Sequence, residues 1–128
     1  MHSPDINETL ERIYALPISL KAEMALRRQV SLLGLVTNTG YPAIRGNVDV
    51  ALLQARIRGR REILESWLRY SAEKEATWGW LFQADRHGRY LVELRSGFSD
   101  KARCEVTDPW EACAFFIKPE LDAIVGTC

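Results

Sequence analysis

The sequence predicts an α+β fold with N-terminal helices, a small antiparallel three-stranded β-meander and a C-terminal helix packed on the sheet. Three features support this class. Apolar residues alternate over residues 78–95, they recur at helical spacing on either side, and a strong helix-start signal lies at Asp108. With 128 residues and a hydrophobic share of 47%, we expect a single domain over residues 1–128 with one core.

The β-hairpin is predicted over residues 78–95, WGWLFQADRHGRYLVELR. Both halves of this stretch place apolar residues at every second position, which puts them on one face of a strand. The polar segment Asp85–Gly88 between the halves ends in a glycine and predicts the hairpin loop. A third strand is expected over Arg103–Thr107, after a turn over Ser96–Lys101. The apolar face of this sheet then requires a cover of helices.

The N-terminal part is predicted to form two helices and a long loop. The first helix covers residues 5–16, and the second runs from residue 19 to about residue 33, where Gly34 would end it. This second helix would bury an apolar stripe that includes Met24 and its last leucine. Residues 34–47 hold three glycines, a proline, two asparagines and two threonines, which together predict a loop.

Two helices are predicted before the hairpin. Asn47 or Asp49 caps the first of them, over Val50–Arg58, because both residue types accept hydrogen bonds from free helix N–H groups. The second runs from about Arg60 to Ala72, and its apolar residues recur on one side of the helix. We expect that side to be buried against the apolar face of the sheet.

The C-terminal helix has the clearest local signal. Asp108 is a capping residue, Pro109 occupies the first helical position, and Glu111 lies three residues after the cap. This arrangement is a capping box with an N1 proline. Further along, Pro119 lacks a backbone donor and clashes with the preceding turn, so we expect it to kink or split the helix.

Composition and charge favour an ordinary soluble protein. The chain has 17 basic and 17 acidic residues, so no net field draws it to nucleic acid or an anionic membrane. The start, MHSPDINETLER, lacks the features of a secretory signal, and no apolar run approaches membrane-spanning length. Three cysteines without CxxC spacing predict free thiols, with a Cys104–Cys113 pair as the alternative. We expect a cytoplasmic protein.

Catalytic and metal-binding patterns are missing from the sequence. The closest approach to a catalytic pattern is Asp85 and His87 in the predicted hairpin loop, with Cys113 as a conceivable nucleophile. The sequence spacing gives no support for a short distance between the three side chains. Metal-ligand spacings such as CxxC and HxxxH, and the glycine-rich phosphate-binding motifs, do not occur. We therefore expect no enzymatic activity, no metal and no cofactor.

Two groups of charged residues are candidates for a binding surface. Residues 56–61, RIRGRR, are the densest cluster, which suits a phosphate or an acidic partner, or simply a solvated helix junction. Acidic residues gather in and around the predicted sheet, where Glu93 and Glu105 are expected on the solvated face. The acidic candidates are Asp85, Glu93, Asp100 and Glu105.

A family resemblance is carried by GNVDVALLQARI, ILESWLRYSAEKEATWGWLF, GRYLVELR and PWEACAFFI. Together these segments resemble the immunity proteins of contact-dependent growth inhibition and related bacterial polymorphic toxin systems, over roughly Gly46–Val125. The resembling features are a helix ending in Trp67 and Tyr70-Ser71, Gly79-Trp80 opening a strand, Tyr90 in the next strand, and an Ala112-Cys113 helix with Phe116-Ile117.

The resemblance implies a small cytoplasmic protein, not an enzyme, that binds and blocks the C-terminal toxin domain of its own cell's effector, often a nuclease. A basic toxin would meet the acidic candidates, and an acidic toxin would meet Arg56 and Arg58. Both possibilities stay open, as does the oligomeric state. No membrane and no nucleic acid is expected as a partner. The alternative hypothesis is a small nucleic-acid-binding or regulatory module that uses Arg56–Arg61.

Overall fold

The computed structural model describes residues 6–26, 31–73, 78–84, 87–96 and 100–126. Its α-helices are α1 (Ile6–Tyr14), α2 (Leu16–Ala25), α3 (Leu32–Thr39), α4 (Tyr41–Ile44), α5 (Val50–Ile57), α6 (Arg61–Glu73) and α7 (Pro109–Val125), with a 3₁₀ turn at Arg45–Asn47. Its strands are β1 (Trp78–Ala84), β2 (Tyr90–Ser96) and β3 (Asp100–Val106). The α+β class is confirmed, with α7 packed against the sheet. No helix among these residues is long and apolar enough to cross a membrane.

The chain divides into two compact units. The first comprises residues 1–48 together with the end of α7 from Leu121 onward. The second, Asp49–Glu120, holds α5, α6, the sheet and the greater part of α7. Each unit has buried apolar side chains of its own, so each is described separately below.

The sheet of the second unit is the predicted antiparallel meander, in the order β1-β2-β3. In the β1–β2 register Phe82 lies opposite Val92, and both side chains are buried. Phe116 of α7 stacks on Phe82, with ring centroids 5.6 Å apart, so the C-terminal helix covers this face of the sheet as expected. The third strand begins at Asp100, three residues earlier than predicted.

The opposite face of the sheet is covered at its centre as well. Leu81 and Glu93 are cross-strand partners there, and Glu93 is only 1% exposed. The prediction that Glu93 lies on a solvated face is therefore wrong. The alternation of apolar and polar residues predicts a sheet with one solvent-exposed face, but the centre of this sheet is buried on both faces.

In the first unit, residues 34–47 form α3, α4 and the 3₁₀ turn, so the predicted loop is wrong. The hydroxyl of Ser31 caps α3 by accepting a hydrogen bond from Gly34 N–H at 3.1 Å, which places Gly34 in the first turn of a helix. The helix ends instead at Gly40, whose φ of 91° suits glycine. A Cβ at Gly40 would also lie 3.2 Å from the Thr9 hydroxyl.

The second predicted helix is shorter than expected. It ends at Ala25, and its apolar residues do not form a buried stripe, because Met24 is 61% exposed and Leu33 is 52% exposed. Residues 27–30 of that prediction lie outside the described residues. Two short helices, α2 and α3, lie where a single long one was predicted.

In the second unit Asp49, and not the alternative Asn47, is the cap of α5, and the predicted cap Asp108 of α7 is confirmed. The Asp49 carboxylate accepts a hydrogen bond from Leu52 N–H at 2.8 Å, and the Asp108 carboxylate accepts one from Trp110 N–H at 2.9 Å. By contrast, α7 runs unbroken through Pro119, so the predicted split does not occur. Ile117 and Leu121, which lie on either side of the proline, are both buried.

Ser71 links α6 to the sheet and provides a test of the packing. Its buried hydroxyl accepts a hydrogen bond from Phe82 N–H of β1 at 2.8 Å. We expect Ser71→Ala to lower the free energy of unfolding by about 1–3 kcal/mol, because a buried N–H loses its partner. Urea denaturation followed by circular dichroism measures this change.

Ser66→Ala is the matched control, because Ser66 lies on the same helix. Its hydroxyl donates to Ile63 C=O at 3.0 Å, so this hydrogen bond stays within α6. Both variants gain the same helix propensity, so that term cancels in the comparison. Equal stabilities for the two variants would contradict a role for Ser71 in holding β1.

Candidate binding surfaces

The acidic candidates do not form one exposed group. Glu93 is buried, as described above, whereas Glu105 is exposed and lies 3.8 Å from the Arg89 guanidinium. Asp85 lies outside the described residues. Asp100 begins β3, and its side chain is likewise outside the described part. Of the four acidic candidates, Glu105 alone has a described side chain that is exposed.

The arginine cluster lies at the end of α5 and the start of α6. Three of its four members are within ion-pair distance of a carboxylate: Arg58 with Asp108 at 3.4 Å, Arg60 with Glu62 at 3.3 Å and Arg61 with Glu65 at 3.5 Å. Arg56 is exposed on α5. These pairs are solvated and contribute little to stability. They do neutralise much of the local positive charge.

Cys113 does not have the surroundings of a nucleophile. It is a free thiol, fully buried in α7, and it forms no disulfide with Cys104. Burial raises the pKa of this thiol far above its ordinary value, whereas a reactive thiolate needs a lowered pKa. His87 lies in the exposed hairpin turn. Within the described residues, no group of three His, Cys, Asp or Glu side chains is placed to hold a metal ion.

A buried polar pair joins α6 to α7 in the second unit. The Tyr70 hydroxyl donates a hydrogen bond to the Glu120 carboxylate at 2.8 Å, and both side chains are buried. Burial and the neighbouring carboxylate raise the pKa of Tyr70 far above its ordinary value. The two residues are 50 positions apart, so no local sequence pattern points to their contact.

A second polar network fixes the end of α7 in the first unit. The Asp122 carboxylate accepts hydrogen bonds from the Tyr41 hydroxyl at 2.6 Å and from Arg45 Nε at 2.9 Å. Arg45 also donates to Gly126 C=O at 2.7 Å, where a cation suits the negative end of the helix dipole. Burial and the hydrogen bond to Asp122 raise the pKa of Tyr41. This network fixes the end of α7.

Among the side chains that the structure describes, five of the six exposed large apolar ones lie in the first unit. Those of α2, its C-cap and the first turn of α3 are Ile18 (64% exposed), Met24 (61%), Leu26 (61%), Leu32 (37%) and Leu33 (52%). We call them the α2–α3 surface. These two helices contact each other. The sequence did not reveal this surface. Met24 and Leu33 were predicted to lie in the core because both fall on the apolar stripe of one long predicted helix.

Charged residues are few within α2 and α3, although Arg27 and Arg28 directly follow Leu26 in the sequence and lie outside the described residues. Residues 31–44 contain none, and α2 contains only Lys21 and Glu23. The remaining exposed residues of these helices are small or uncharged, such as Ala22, Thr37 and Asn38.

Comparison of this chain with models of known protein families, with curated proteins and with solved structures finds no match. The resemblance to immunity proteins therefore stays a prediction from the sequence segments quoted above. The functional interpretation depends on those segments and on the surfaces of the two units.

Proposed function

We propose that this chain is a cytoplasmic immunity protein, without enzymatic activity of its own. It binds the C-terminal toxin domain of a cognate contact-dependent inhibition effector, expected to be a nuclease, and blocks it. Part of the support is that the residues carrying the resemblance pack together. Trp67 and Tyr70 of α6 each contact Phe116 of α7, with ring centroids 6.1 and 6.2 Å apart. They lie in the compact unit Asp49–Glu120, which nearly coincides with the resembling segment.

The pairing of the arginine cluster is the observation that favours a protein partner over nucleic acid. Binding to a phosphate backbone gains affinity by releasing counterions from several uncompensated cations. Three of the four arginines over 56–61 already have a carboxylate at ion-pair distance, and the chain carries no net charge. A module that reads RNA or DNA through this cluster would have to break those pairs.

Co-expression tests the proposal. The C-terminal domain of the reading frame immediately upstream is expressed from an inducible promoter, with and without this chain. We expect that domain to arrest growth alone and the chain to restore growth. Arrest that persists in the presence of the folded chain would contradict the proposal. A salt-dependent mobility shift of RNA or DNA, lost in Arg56→Glu, would support the nucleic-acid alternative instead.

A further inference from the structure

We draw no further inference here: the strongest candidate, the exposed apolar surface patch of α2 and the first turn of α3, carries nothing because nothing in the structure shows what covers it.

Discussion

Replacing Phe116 by alanine is expected to lower the free energy of unfolding by about 3–5 kcal/mol. Phe116 is completely buried at the centre of the second unit. Its ring stacks on Phe82 of the sheet at 5.6 Å and meets Trp67 and Tyr70 of α6 edge to face. Truncation removes the buried apolar area and leaves a cavity between three elements, because the surrounding rings cannot all move to fill it.

The neighbouring residue offers a control with the same change on the same helix. Phe115 is 37% exposed, and its ring contacts Trp80 at 6.3 Å. Phe115→Ala should therefore cost less, about 1–2 kcal/mol, since the ring is already partly exposed and no closed cavity forms. Urea denaturation of both variants measures the difference. A similar loss for the two would contradict the placement of Phe116 as the residue that holds α7 to the sheet.

Raising the pH above about 9 is expected to destabilise the protein steeply. Three buried groups, the Cys113 thiol and the Tyr41 and Tyr70 hydroxyls, have pKa values raised far above their ordinary ones. Burial is the main cause in each, and nearby carboxylates add to it for the two tyrosines. Each group stays protonated in the folded chain at a pH where it ionises in the unfolded chain.

The sign of the effect follows from proton binding. Between the ordinary pKa of each group and its higher folded pKa, the folded state binds more protons than the unfolded state, so stability falls as the pH rises. The contribution is fully present below about pH 8.5 for the thiol and about pH 10 for the tyrosines. Above these limits each group removes up to about 1.4 kcal/mol per pH unit. Urea midpoints at intervals between pH 7 and 11 measure the slope.

Tyr70→Phe separates this titration from a general effect of alkali. At pH 7 the variant should be less stable by about 1–3 kcal/mol, because the buried Glu120 carboxylate loses a hydrogen-bond donor. Above pH 10 its stability should fall less steeply than that of the wild type, because one titrating group is gone. Cys113→Ala should flatten the slope from about pH 9. Slopes identical to the wild type in both variants would contradict the role of these buried groups.

Local signals were sufficient to predict the order and type of the elements of the second unit. The capping residues Asp49 and Asp108 bind N–H groups of their own helices, so a few neighbouring residues are enough to predict them. The alternation of apolar residues over 78–95 likewise predicts the two strands from adjacent residues alone. The burial of Glu93 could not, because it depends on what covers the far face of the sheet. The hydrogen bond between Tyr70 and Glu120 could not be predicted either, because the two residues are 50 positions apart in the sequence.

The first unit was predicted less well for a different physical reason. Its helices are short. Residues 34–47 contain glycines, which ordinarily break helices, yet α3 begins at the cap Ser31 and ends at Gly40. The charged candidates could be named from the sequence, although it could not tell that most of the arginines are paired. The α2–α3 surface was hidden because apolar residues at helical spacing ordinarily indicate a core.

The claim that this chain neutralises a toxin by direct binding is tested most directly with purified components. The chain is titrated with the C-terminal domain encoded immediately upstream, and the nuclease activity of that domain is followed in the same mixture. We predict an equimolar complex of nanomolar affinity in which activity falls in proportion to the amount of chain added. Full activity in the presence of a saturating excess of folded chain, or no complex at micromolar concentrations, would contradict the claim.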